Sequence, residues 1–257
     1  MFRGIDRAVC TGETKENTLM KPLPNIGFDR FIARSWLDLA LAVAAGQRDR
    51  ADLVLLLEQD VIGLVARSKT SVVINRMWLS PHPTLVEYVA EGVSLYKSNP
   101  NIDTMSLHWA MALRSHPLFA SIADSIGRLI KLHCEFTSSQ VLRRIKEQYG
   151  DRASVIRATA AVIQTLVAWG VIKLLDPKQR RFGLGQTIDI SKPEVGVWVI
   201  EAGIDAVGNS VALNAPINPL FPFKLPNITE AQIDLCIRIH RINLGSGDMH
   251  VGLKLFG

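Results

Sequence analysis

TSSQVLRRIKEQYGDRASVIRATAAVIQTLVAWGVIKLLDPKQRRFGL, residues 137–184, is the stretch on which the reading of this chain turns. Thr137 followed three residues later by Gln140 is a capping-box pattern, and Val141, Leu142, Ile145 and Tyr149 recur at helical spacing until Gly150 stops the run. Asp151 is placed to cap a second helix that runs to about Trp169 with Ile156, Ala160, Ile163 and Val167 inward, and Gly170 stands where a C-terminal cap belongs. Val171 to Leu175 then reads as a strand, Asp176-Pro177-Lys178-Gln179 as a turn with Pro at its favoured second position, and Arg181 to Leu184 as the returning strand. Helix, tight turn, helix and hairpin follow one another within fifty residues.

Charge is concentrated on the same stretch. Between Ser138 and Arg181, nine Lys and Arg stand against three acids, a local excess of six in a molecule whose net charge is +5, so everything outside sums to about −1. A net positive excess concentrated on three successive elements makes this stretch a candidate nucleic-acid footprint rather than a general surface property.

Working outward, Pro117 opens a helix with Ile122, Ile126, Leu129, Ile130 and His133 near one stripe, and Thr104 to Arg114 precedes it with Leu107, Trp109 and Met111. In element order, capping and the helix-to-hairpin junction Trp169-Gly170-Val171-Ile172, residues 117–190 resemble a winged helix-turn-helix domain. The resemblance covers under a third of the chain and extends to a superfamily whose members include modules that bind only proteins.

In winged helices that bind DNA, the second helix of the pair enters the major groove and its N-terminal half presents side chains to base edges. Carried onto this chain, the resemblance implies a reading helix offering Arg152, Ser154, Arg157 and Thr159, with Arg157 as the bidentate guanine contact and Arg152 reaching a phosphate. The preceding helix contributes Arg143, Arg144 and Lys146 for backbone contacts, and the wing contributes Lys178, Arg180 and Arg181 for a flanking groove or phosphates. The alternative is that the same residues form a solvated basic face on a protein-docking module.

The rest of the chain predicts a mainly α protein with small β elements, an α+β class with a helical N-terminal region and a C-terminal hairpin. Residues 1–20 are polar and read as a loose leader, with Met20 as an alternative start. Residues 28–98 form a helical N-terminal domain. Phe28 to Ala45, Asp52 to Val65 and a run after Ser68 each carry helical periodicity, and Thr84 to Tyr96 completes the set. The second and third helices are a candidate first helix-turn-helix with Arg67, Lys69 and Arg76 around it, although ordinary helical packing with solvated charges is the simpler reading.

The turn-rich Ser98 to Asp103 sets a soft boundary before a 104–190 winged-helix domain. Residues 191–257 form an α/β C-terminal region. It holds a helix over Pro193 to Val207, weakened by Gly196 and Gly203, and an apolar Pro-rich run from Asn214 to Pro226 predicted to lie across a surface. A short helix capped by Thr229 follows, then a hairpin around Gly245-Ser246-Gly247-Asp248.

Several function classes find no support. The histidines His82, His108, His116, His133, His240 and His250 show no paired metal-ligand spacing, and Cys10, Cys134 and Cys236 show no CxxC, so no metal and no cofactor are predicted. Scattered cysteines fit a reducing, cytoplasmic setting. His133-Cys134-Glu135 reads as a helix end against the core rather than a reactive site. Gly183-Leu184-Gly185 and Gly245-Ser246-Gly247 lack the strand-then-helix context of a phosphate loop, and the five tryptophans read as core anchors. No apolar run is long enough to span a membrane. The expectation is therefore a non-enzymatic reader of double-stranded DNA, such as a transcriptional regulator. The alternative is an adaptor or structural subunit, for example of a mobile-element or phage-defence complex, with protein partners or a homodimer.

Overall fold

Gly and Pro punctuate a chain rich in helical periodicity, and the computed structural model describes residues 26–208, 210–212, 217–242 and 250–254. Six helices come first: α1 (Arg34–Ala44), α2 (Arg50–Asp60), α3 (Leu64–Trp78), α4 (Val86–Ser98), α5 (Thr104–Ser115) and α6 (Pro117–His133). The central unit continues with β1 (Glu135–Thr137), α7 (Ser138–Tyr149), α8 (Ala153–Ala168), β2 (Ile172–Asp176) and β3 (Arg181–Leu184). Then follow β4 (Ile188–Asp189), α9 (Pro193–Val207), β5 (Val211–Ala212), β6 (Phe223–Lys224), α10 (Glu230–Asp234), β7 (Ile239–Ile242) and β8 (His250–Leu253). The predicted class, mainly α with small β, is what the described residues show. The leader, Asn214 to Pro216 and the Gly245 to Asp248 turn lie outside them.

α5 is the axis of the molecule. Every side chain from Met105 to Leu113 is buried, because α6 and α9 pack along it while α1, α3 and α4 close the remaining sides. One apolar cluster runs from Phe28 to Val251 and passes through the 98–103 turn without a break. The five tryptophans are core anchors as expected. Each is buried, and each ring N–H finds an acceptor, such as Asp60 for Trp36 at 2.7 Å and the Ile32 carbonyl for Trp169 at 2.9 Å.

In the central unit the capping box forms as read: Thr137 N–H donates to Gln140 Oε1 at 2.7 Å and Gln140 N–H to Thr137 Oγ1 at 3.3 Å. The hairpin forms too, and β1 adds a third strand that sequence reasoning missed, giving the antiparallel order β1-β3-β2. Phe136 on β1 stacks on Phe182 of β3 at 5.5 Å. That pairing explains why a three-residue strand persists directly after a helix.

Three local readings need correction. Arg152, not Asp151, occupies the position before α8 and gives no side-chain cap; Asp151 instead pairs with Lys146 at 2.8 Å. The inward face of α8 is Val155, Ala158, Thr159, Val162, Ile163, Thr165 and Leu166, so Ile163 is inward as expected, while Ile156 is 40% exposed and Ala160 and Val167 are half-buried. α2 ends at Asp60, so Leu64 and Val65 belong to α3 and are exposed.

The Pro-rich run is the largest departure. Ile217 and Leu220 are buried, and the turn Asn218–Leu220 is wedged between α6 and α9. Trp109 Nε1 donates to the Pro219 carbonyl at 2.8 Å, and Phe221 and Phe223 meet the same indole edge-on at 5.5 and 5.6 Å. Room for it comes from glycine: a Cβ at Gly127 of α6 would overlap the Asn218 carbonyl, and one at Gly203 of α9 would lie 2.8 Å from Leu220. Gly203 thus admits the segment that covers the helix it was expected to weaken.

Candidate nucleic-acid interface

Helical periodicity sorts the charges of α7 and α8. On α7, Val141, Ile145 and Tyr149 face the core, which leaves Arg143 exposed and Arg144 and Lys146 half-buried on the remaining surface. On α8, burial of Val155, Thr159, Val162 and Leu166 turns a narrow ridge of Ala153, Arg157, Ala160 and Gln164 outward. Small side chains flank Arg157, so a surface can approach this helix closely. Ser154 is half-buried at the ridge's edge. Thr159 is withdrawn: it is buried, and its hydroxyl donates to the Val155 carbonyl at 2.9 Å. Gln164 is a polar group the sequence reading passed over. It sits two turns beyond Arg157, and that seven-residue spacing was the available signal.

The hairpin is held in place from both ends. Asp176 Oδ1 accepts the Lys178 and Gln179 N–H groups at 2.8 and 3.1 Å, closing the turn. Arg180 adopts φ 48°, and its carbonyl accepts the Ser138 N–H at 3.2 Å, tying the hairpin to the start of α7. Lys178 and Arg180 are exposed. Arg181 is different: it lies 3.2 Å from Glu135 on β1 and 4.0 Å from Asp176 on β2, so it braces the three strands.

Seven of the nine expected contact residues therefore fall into two groups. Lys146 and Arg181 have acids beside them. For Arg143, Arg144, Arg157, Lys178 and Arg180, no acid lies within ion-pair distance among the described residues. Arg152 half-emerges at the start of α8 beside Ser154.

Structure also unites two stretches that looked separate in sequence. Ser154 and Arg157 of α8 share a groove of about 370 Å³ with Arg30, Ser68, Lys69 and Arg76. Lys69 and Arg76 are both exposed and stand seven residues apart on α3. Asp29 is the acid lining this groove, 3.8 Å from Arg30. On the other flank of α8, Ile163, Val167, Leu174 and Phe182 line an apolar cleft with Gln164 and Arg180 at its rim.

Elsewhere, titratable groups serve the interior. His108 is buried with Nε2 2.9 Å from Asp38 and Nδ1 accepting the Trp78 N–H at 3.2 Å, which fixes a neutral tautomer. Burial pushes its pKa down, against the opposing pull of Asp38. Cys134 caps α6 at φ 60°. His133 and Cys134 are exposed rather than packed on the core, because the left-handed turn swings them outward. Among the described residues, no group of His, Cys, Asp and Glu is arranged to hold a metal ion, and no helix is long and apolar enough to cross a membrane.

Comparison with known protein families, curated proteins and solved structures finds no match to this chain.

Proposed function

We propose that residues 117–190 form a winged helix-turn-helix unit and that the chain is a non-enzymatic protein that binds double-stranded DNA through α7, α8 and the β2–β3 hairpin. One observation carries this reading: five cations, Arg143, Arg144, Arg157, Lys178 and Arg180, emerge on three successive elements with no acid partner among the described residues. Arg157 and Gln164 project from a ridge otherwise made of alanine, the chemistry suited to guanine and adenine edges respectively. Element order adds support, since a helix, a short strand, two helices and a hairpin build one three-stranded sheet. Cys134 and Cys236 are free thiols, in keeping with a cytoplasmic protein.

The test is an anisotropy titration of labelled duplex against the full chain over a salt series. Binding that weakens steeply as salt rises supports the reading, because several phosphate contacts give a steep slope; no binding even at about 50 mM salt sinks it.

A second reading, a subunit that docks protein partners, draws on a different surface. Val54, Leu55, Ile62, Leu64 and Val65 of α2, α3 and their connection are exposed, Ile62 almost completely at 95%. The Pro-rich run adds nothing to that surface, since its described residues Ile217, Pro219 and Leu220 are buried against their own chain. A purified chain that stays monomeric at high concentration and carries no partner counts against docking.

A further inference from the structure

We infer that the groove between α3 and α8 grips the phosphate backbone of the same DNA duplex, so that α3, outside the three-helix unit, clamps the strand and sets how α8 enters the major groove. This rests on the DNA-binding reading and adds Arg30, Lys69 and Arg76 to it.

Several features of the groove fit a phosphate run. Its cations come from three parts of the chain: Arg30 from the segment before α1, Lys69 and Arg76 from α3, and Arg157 from α8. Lys69, Arg76 and Arg157 are exposed and have no ion-pair partner among the described residues. Arg30 adds a third cation to the wall, although its Nε already lies 3.8 Å from the Asp29 carboxylate. Ser68 and Ser154 add neutral donors on either wall. Seven residues along a helix is about 10 Å of rise. On one strand of duplex DNA that is about three phosphates measured along the axis.

The geometry also assigns different jobs to the two walls. Lys69 and Arg76 lie across the groove from the outward ridge of α8, so they meet backbone, while Arg157, which belongs to both groove and ridge, is the cation from which a base edge is reached. Side chains that touch only phosphate position a reader without carrying sequence information. The clamp therefore governs affinity for every duplex alike.

The experiment compares the full-length wild type with Lys69→Ala/Arg76→Ala and Arg143→Ala/Arg144→Ala in anisotropy titrations across a salt series, on two duplexes of different sequence. Loss of two phosphate contacts lowers the salt slope by about 1.8 and weakens binding about 30-fold at 0.15 M salt, equally on both duplexes. A Lys69→Arg/Arg76→Lys variant keeps the wild-type slope. Unchanged slope and affinity for Lys69→Ala/Arg76→Ala, with the wild type binding and Arg143→Ala/Arg144→Ala weakened, overturns the clamp and leaves the DNA reading standing. A wild type that fails to bind at about 50 mM overturns both. Tighter binding of single-stranded RNA than of duplex, with the α3 variant affecting RNA alone, overturns the assignment to duplex DNA.

Discussion

Arginine gathers in two regions of this molecule and is treated in opposite ways. Around α3, α7, α8 and the hairpin, Arg76, Arg143, Arg157 and Arg180 have no acid within ion-pair distance among the described residues. Between α4, α5 and α9, Arg114 and Arg238 converge on Glu201, which is completely buried. Arg238 donates from Nε to Glu201 at 2.6 Å and from Nη1 to Glu91 at 2.8 Å. The Arg114 and Arg238 guanidinium groups lie 4.4 and 5.5 Å from the centre of the Tyr88 ring, and Trp198 stacks on the same ring at 4.3 Å and 7°. Hydrogen bonds that Arg238 donates to Glu91 and Glu201 outweigh desolvation and hold it firmly charged. The same side chain is structural where its counter-charge is built in and available to a ligand where it is not. Partner supply, rather than residue type, separates the regions.

The largest effect should come from removing the counter-charge. Glu201→Ala removes the acid shared by Arg114 and Arg238 and leaves only Asp205 and Glu91, among the described residues, to pair them, which should cost about 3 kcal/mol of stability, the low end for breaking a buried pair. It should leave the DNA affinity of the folded fraction unchanged. Denaturant unfolding with anisotropy on the same samples checks both; a weakened DNA contact without lost stability would erase the contrast.

His116 lies between the regions, its ring edge-on to Phe28 at 5.2 Å and Nε2 3.3 Å from the Val73 carbonyl. Burial, reinforced by the charge of Arg76 and opposed by the Val73 hydrogen bond, pushes its pKa from 6.5 to about 4. The folded value lies below the unfolded one, so this contribution is complete above pH 6.5 and is lost as pH falls through 4. By pH 5 the loss should reach about 2 kcal/mol. Urea midpoints at pH 7 and pH 5 measure it, and His116→Gln should remove most of the difference. An equal drop in the variant would mean that His116 is not held neutral in the fold.

The smallest effect, and the sharpest contrast, lies between two arginines of the central unit. Arg157→Ala should weaken binding to a preferred sequence about 10- to 100-fold and relax base preference. Arg181→Ala should change binding little, because Glu135 and Asp176 already hold that side chain, and should cost under about 1 kcal/mol of stability. Equal losses of affinity from both substitutions would show that partner supply does not sort these charges.

Much of the central unit was legible because its signals are local. A capping box, a Pro at the turn and a Gly after each helix act within four residues, and each element appears where they place it. The face of α8 was only partly legible, since its apolar residues come in adjacent pairs: Val155-Ile156, Val162-Ile163 and Leu166-Val167. Two stripes one residue apart fit the sequence equally well, and only the surfaces that pack on the helix choose between them. The Pro-rich run misled for a related reason. Prolines and apolar residues describe an extended segment, but whether it lies over or inside the fold is decided by Gly127 and Gly203, far away in sequence. The groove was invisible because Lys69 and Arg157 are 88 positions apart; each α3 charge looked isolated until the fold brought α8 beside it.

The segment before α1 has a consequence in time as well as in space. Ile32 N–H donates to Thr165 Oγ1 at 3.0 Å and its carbonyl accepts from Trp169, across 133 and 137 residues of chain. At a synthesis rate of about 5–20 residues per second, Ile32 leaves the ribosome on the order of ten seconds before either partner exists. The helical N-terminal part must therefore keep one edge unfinished while it waits, and α8 completes it. Closing so distant a pair is slow compared with forming a local helix, so docking of α8 onto this strap is expected among the last steps of folding, finishing the wall of the groove and the core behind it together.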